Sequence, residues 1–226
     1  MTTTLAAGSS TGSQLWFITR SSALVSFVLL TIGLVLGMYA TRRSSTGMRR
    51  FVNQALHRNV TLLALGLVLV HIATVAMDSF VPIGWAAAVV PFTSGYRPTW
   101  VAAGTVAFDL AILLVLTSLA RVRFGLRLWR VVHWLAYVLW PLTFVHYLGA
   151  GTDMKAAWGR WLAISAAVVV AAAAAARVVA AGSAARRAPA PRPARGAPVR
   201  RPAAVRPGGS VLASGSPHAP TRPGAR

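Results

Sequence analysis

Residues 131–148 read VVHWLAYVLWPLTFVHYL, and residues 56–77 read LHRNVTLLALGLVLVHIATVAM. Each stretch is apolar and close to the roughly 20 residues that an α-helix needs to cross a bilayer. Each also carries two histidines, 14 residues apart in the earlier stretch and 13 apart in the later one. The four are His57, His71, His133 and His146. Ionisable side chains are costly in hydrocarbon, so these four histidines are candidates for a functional site.

The rest of the chain predicts an all-α membrane protein. It has 226 residues, 56% of them hydrophobic, and only three acidic residues. Five stretches are long and apolar enough to form a bundle of five transmembrane helices. They are residues 21–41, 56–77, 99–120, 131–148 and 158–181. Residues 81–92 are too short to span and lie between Pro82 and Pro91, which predicts an interfacial or re-entrant element.

Composition divides the chain into three segments. Residues 1–14 are a polar N-terminus, and residues 15–181 form the membrane domain. Residues 182–226 are rich in Ala, Pro and Arg and show no apolar periodicity, which predicts a disordered tail. The net charge of +20 lies mostly in the tail and in the loops that flank the spans, so topology and anionic lipid explain it better than nucleic acid does.

Arginine placement predicts the orientation of the bundle. Arginines are concentrated between the first and second spans, between the third and fourth, and after the fifth, while the alternate loops hold few. The positive-inside rule then places the N-terminus outside and the C-terminal tail in the cytoplasm. The second and fourth spans run in the same direction. His57 and His133 therefore share the inner level, and His71 and His146 share the outer level.

Two histidines at each of two levels indicate two metal centres, about 20 Å apart along the membrane normal at a rise of about 1.5 Å per residue. Haem b needs two axial imidazoles and no covalent anchor, and the absence of cysteine excludes c-type attachment and iron–sulfur clusters. Zinc is disfavoured because its ligands meet at one centre. A proton or ion conductor that relays through histidines and Asp109 is the competing hypothesis.

The angular positions of the histidines fit one span better than the other. At about 100° per residue, His57 and His71 lie about 40° apart around their helix, whereas His133 and His146 lie about 140° apart. Pro141 lies between the second pair and should distort the helix. Either that helix is distorted, or the two haems are reached from different sides.

Over residues 15–161 the sequence resembles the ferric reductase-like transmembrane domain family, especially small actinobacterial members. The resemblance rests on the two histidine pairs and on four segments. These are WRVVHWLAY (129–137), HYLG (146–149), PFTSGYRP (91–98) and TSLAR (117–121). It implies that all four histidines are bis-His ligands of two haem b groups in a bacterial plasma membrane.

Full-length relatives in that family continue into a cytoplasmic dehydrogenase that binds flavin and NADPH. No such pattern is present here, so this chain is expected to bind no flavin itself and to be an oxidoreductase component whose enzymatic status is open. The resemblance implies a separate donor, either a quinol or a cytoplasmic flavoprotein, and an extracytoplasmic FMN-binding acceptor. The lipid bilayer is the other expected partner.

Several polar residues near the histidines are candidates for supporting roles. Haem propionates need cationic partners. Arg58 and Arg130 are placed for the inner haem, and Arg20 and Arg97 for the outer one. Asp109 lies in the middle of the third span, where it could orient a ligating histidine, pair with Arg20, carry a proton or make a structural hydrogen bond.

Overall fold

The computed structural model describes residues 2–40, 47–78, 81 and 83–187. Within these residues the chain is helical and contains no β-strand. Six α-helices follow one another, with short 3₁₀ helices at Trp85–Ala88 and Thr152–Lys155. The α-helices are α1 (Thr2–Ala40), α2 (Gly47–Met77), α3 (Pro98–Leu119), α4 (Arg121–His133), α5 (Ala136–Ala150) and α6 (Ala157–Arg187).

The prediction of five membrane spans is confirmed. Among the described residues, five helical segments are long and apolar enough to cross a bilayer, and each overlaps one predicted span. They are Gln14–Ala40, Phe51–Met77, Pro98–Leu119, Gly125–Ala150 and Ala157–Ser183. Many large apolar side chains on them are exposed, among them Leu62, Leu63, Leu116 and Val168, as expected of helices whose outer faces contact lipid.

The helices at both ends are longer than composition suggested. Helix α1 begins at Thr2, so the polar N-terminal segment is helical and leads directly into the first span, Gln14–Ala40. Helix α6 continues to Arg187, so the predicted disordered tail does not begin at residue 182. Residues 184–187 are alanines and arginines, which are strong helix formers, and they continue the helix past Gly182 and Ser183. The remainder of the predicted tail lies outside the described residues.

The fourth span is two helices in succession. Helix α4 begins at Arg121, in the segment that the arginine pattern assigned to a loop, and ends at His133. It is interrupted at Gly125, whose φ of 76° and ψ of 156° are not helical, and the membrane-length segment begins there. Helix α5 begins at Ala136, so the break falls at Trp134 and Leu135. The expectation that Pro141 distorts this span is not met at Pro141, which lies inside α5. A proline ring disturbs the turn back to the residue four positions earlier, which is Tyr137, so the break at Trp134 and Leu135 lies beyond its direct reach.

Between α2 and α3, the described residues contain no helix long enough to span a membrane. The only regular element among them is the 3₁₀ helix Trp85–Ala88, in which Ala87 is buried. Thr105 in α3 donates a hydrogen bond of 2.6 Å to the carbonyl oxygen of Ala87. This bond fixes the segment against α3.

Packing positions the helices that carry histidines. Helix α1 packs along α2, and α3 packs along α5. An aromatic cluster joins α1 and α5: the rings of Phe27 and Tyr147 stack with centroids 4.8 Å apart, and the Trp140 indole donates to Thr31 at 3.0 Å. Ala163 and Ala166 of α6 pack against this cluster. Helix α5, which carries His146, is therefore held on several sides. Helix α2, which carries His57 and His71, is held mainly by α1.

Candidate functional site

The four intramembrane histidines meet as two pairs. The ring centroids of His57 and His133 are 6.3 Å apart, and those of His71 and His146 are 6.4 Å apart. The ring planes in the two pairs are inclined at 78° and 74°. These are the pairs expected from matched depth. Helix α2 and the fourth span thus face each other across a gap that the imidazoles enter at two levels.

The separation within each pair suits two imidazoles on opposite sides of one metal ion. Metal–imidazole bonds of about 2 Å, plus about 1 Å from each nitrogen to its ring centre, place the two centroids about 6 Å apart. Hydrogen-bonded imidazoles would lie closer, with nitrogens about 3 Å apart and centroids about 5 Å apart. The centroid distances of both pairs match the value for two imidazoles bound to one metal ion, and not the shorter value for hydrogen-bonded imidazoles. Each pair therefore has room for one ion between its rings.

Helix α1 orients both histidines of α2. His57 Nδ1 is 2.8 Å from the carbonyl oxygen of Gly33, and His71 Nδ1 is 3.1 Å from that of Thr19. A carbonyl oxygen can only accept, so each Nδ1 carries the proton and each Nε2 keeps a free lone pair. Thr19 and Gly33 are 14 residues apart, as are His57 and His71, so one antiparallel register serves both levels.

The two histidines of the fourth span are held differently. His146 Nδ1 is 2.8 Å from the carbonyl oxygen of Trp100 in α3, which repeats the arrangement seen on α1. His133 Nδ1 is buried and has no hydrogen-bond partner in the described structure. The His133 ring instead stacks on Trp129, with centroids 5.0 Å apart and planes at 25°. Three of the four imidazoles therefore have a backbone carbonyl that fixes their tautomer, the usual arrangement for metal-ligating histidine.

Glycines make room for two of the rings. A Cβ atom added at Gly104 in α3 would lie 2.6 Å from His146 Nδ1, and one added at Gly37 in α1 would lie 3.2 Å from His57 Cε1. Neither glycine was identified from the sequence. For Gly37 the sequence does contain an indication. Gly33 and Gly37 form a Gly-x-x-x-Gly pattern, which permits close approach of membrane helices.

The break between α4 and α5 reduces the angular mismatch of the 13-residue spacing. Around it the backbone makes i→i+3 hydrogen bonds at residues 134, 135, 137 and 138. Each residue of 3₁₀ geometry turns about 20° more than one of α-helix, so four contribute about 80° of the missing 140°. Of the two explanations offered for the 13-residue spacing, the distorted helix therefore applies. The distortion turns both His133 and His146 toward α2.

The four candidate arginines occupy the expected ends of the bundle. Arg58 and Arg130 are exposed, adjacent to His57 and one turn before His133. Arg20 forms an ion pair with the buried Asp153, and its guanidinium lies 4.2 Å from the centre of the Trp16 ring. Arg97 donates to the carbonyl oxygen of Gly149. The latter two arginines are thus each fixed by protein groups near the His71/His146 level.

Asp109 makes neither of two contacts expected for it, an ion pair with Arg20 and a hydrogen bond to a ligating histidine. The partner of Arg20 is Asp153, so the expected pair between Arg20 and Asp109 is wrong. Asp109 is exposed and makes no hydrogen bond to a histidine in the described structure. The reason is angular: five residues separate it from Gly104, which turns its side chain about 140° away from the face of α3 that meets His146.

Within the described residues, no three His, Cys, Asp or Glu side chains gather as a metal-ion site. A haem needs only two protein ligands, since the porphyrin supplies the other four, so this finding does not bear on the pairs.

The chain belongs to a family described as a domain of unknown function, DUF8596, whose model matches residues 14–153. That range contains all four intramembrane histidines. No curated protein and no solved structure matches the chain.

Proposed function

We propose that this chain is a di-haem b electron-transfer subunit of a ferric reductase-like oxidoreductase in the plasma membrane. The observation that supports it is the pairing of four imidazoles at two levels, with centroids 6.3 Å and 6.4 Å apart. Three of these imidazoles donate through Nδ1 to a backbone carbonyl, which leaves Nε2 available for iron.

The surroundings of the pairs suit a planar macrocycle. The gap lies between apolar helices, and Gly37 and Gly104 let His57 and His146 pack closely against α1 and α3 on the side away from a bound macrocycle's iron. When bound, haem b supplies one-electron redox chemistry at its iron. The role of the protein would be to hold the four imidazoles in place, fix their tautomers and exclude water. Arg58 and Arg130 remain candidates for holding inner propionates, and Arg20 for an outer one.

The proposed direction follows from the arginine distribution, which puts the N-terminus outside and the tail inside. Electrons then enter at the His57/His133 level and leave at the His71/His146 level. The donor is a separate quinol or cytoplasmic flavoprotein, and the acceptor is an extracytoplasmic protein, in our proposal one that binds FMN. The resemblance to the ferric reductase-like transmembrane domain family supports this arrangement, with this chain as the conduit.

A reduced-minus-oxidised visible spectrum of the purified full-length protein tests the proposal. Low-spin b-type bands and about two haems per chain by pyridine haemochrome are expected. A well-folded, fully expressed protein without these bands, purified from haem-sufficient cells, would exclude it. Proton flux through vesicles containing that protein would then favour the histidine/Asp109 conductor.

A further inference from the structure

A cavity with mixed polar and apolar lining lies near the His71/His146 level but outside the gap between the histidine helices. Its volume is about 240 Å³. It is lined by the residues that precede α3, by the end of α5 and by the 3₁₀ helix after α5, including Tyr96, Arg97, Leu148, Thr152 and Lys155. No residue of α2 is among its lining, so the cavity is separate from the site between the facing imidazoles.

The charge of this cavity is positive. Arg97 and Lys155 both line it, and no carboxylate does. The nearest acidic residue in the sequence, Asp153, is buried and paired with Arg20, so its charge is compensated within the protein. Two cations without an opposing carboxylate favour an anionic occupant.

A hydrogen bond to α5 holds the guanidinium of Arg97 in place. Arg97 is in the left-handed region at φ 43°, which is uncommon for a residue other than glycine. Its guanidinium donates to the carbonyl oxygen of Gly149. A guanidinium has five N–H donors, so four remain for a ligand. A fixed fork of this kind suits the oxygens of a phosphate or a carboxylate.

The position of the cavity relates it to the histidine pair. Gly149 follows His146 by three residues, a rise of about 4.5 Å along α5. Leu148 and the residues after it line the cavity. An anion bound there would thus lie just beyond the His71/His146 level.

We propose that this cavity binds the anionic group, a phosphate or carboxylate, of the electron acceptor that takes electrons from the His71/His146 centre. Arg97 and Lys155 are the anion-binding residues, which assigns Arg97 to the acceptor and not to a propionate. The role in electron transfer rests on the proposed function, whereas anion binding does not require it.

Binding of FMN and riboflavin to the purified full-length protein tests this inference, because the two share a redox ring and differ in the phosphate. Fluorescence anisotropy should show FMN binding that weakens with salt and with added inorganic phosphate or citrate, and riboflavin binding at least about fivefold weaker. Arg97→Gln and Lys155→Gln should each weaken FMN binding about fivefold or more. Arg160→Gln is the matched control, because Arg160 is exposed nearby and bonds to the Lys155 carbonyl without lining the cavity.

Equal binding of FMN and riboflavin would overturn the inference, as would an equal loss in Arg160→Gln. Haem content measured on the same samples separates the two proposals. Loss of haem in Arg97→Gln would return that residue to a propionate role and refute its assignment here. Phosphate-dependent FMN binding by a protein without haem would instead uphold the cavity and refute the di-haem function.

Discussion

The two histidine pairs have the same spacing but different support. At one level His71 and His146 both donate through Nδ1 to carbonyls of neighbouring helices. At the other level only His57 does, while His133 lies at the end of α4 against Trp129 with Nδ1 unpaired. Similar ligand spacing can therefore be reached through backbone anchoring or through aromatic packing. Hydrogen bonds to the free ring nitrogen raise ligand basicity, so the two centres should differ in strength and potential.

The largest expected effect is the removal of a ligand. His57→Ala and His133→Ala should each abolish the same haem, and His71→Ala and His146→Ala should each abolish the other, because each pair flanks one gap. Haem stoichiometry and the midpoint potential of the remaining haem identify which centre is lost. If His57→Ala and His146→Ala gave the same remaining centre, the two-level comparison would be wrong.

A glycine substitution should damage one level selectively. A Cβ at Gly104 would lie 2.6 Å from His146 Nδ1, whereas at Gly37 the closest atom, His57 Cε1, would be 3.2 Å away. Gly104→Ala should therefore lose most of the haem at the His71/His146 level, and Gly37→Ala should reduce the other only partly. Haem content per folded protein is the measurement.

Gly66→Ala is the matched control for these two variants. Gly66 is in α2 and has nothing within 4 Å of an added Cβ. It should keep both haems, and it should stabilise its helix slightly because alanine has the higher helix propensity. Full haem content in Gly104→Ala would show that the ring can move aside without cost.

Trp129 should matter only at the His57/His133 level. Trp129→Leu removes the ring that stacks on His133, an interaction of the order of 1 kcal/mol, so haem retention at that level should fall about three- to tenfold. Redox titration and the rate of haem loss to an apo-acceptor resolve the two centres. Trp161→Leu, at an exposed tryptophan, should change neither. Equal changes at both levels would mean that Trp129 supports the bundle and not His133 specifically.

The smallest effect is expected at Asp109. Since this side chain is exposed and turned away from the histidine face of α3, Asp109→Asn should leave haem content and both midpoint potentials unchanged. The same spectroscopic titration checks it. A shift confined to one centre would assign Asp109 a role beside that histidine pair after all.

Sequence reasoning predicted the spans well because a hydrocarbon core demands about 20 apolar residues, and that demand is visible in composition. It also predicted which histidines share a level, because alternating spans fix the direction of each helix. The supporting contacts were not predictable in the same way. The acceptors are backbone carbonyls of Thr19, Gly33 and Trp100, and any residue could provide them.

The sequence also did not predict where the fourth span is broken. Pro141 correctly indicated that this helix is distorted, but the distortion lies at residues 134–135, where the i→i+3 bonds occur. Local turn geometry depends on how Trp134 and Tyr137 pack, for example against the Arg177 guanidinium about 6 Å from each ring, and those tertiary contacts have no sequence signature.

The one-sided packing of α2 has a consequence for biogenesis. Only 6% of its span is buried inside the protein, against 28% for α1, although α2 carries His57 and His71. If the chain binds haem as we propose, cofactor loading would be the step that secures α2 against α5. Newly inserted chains in a haem-starved cell should expose this helix to membrane proteases, so the abundance of the protein would follow the haem supply.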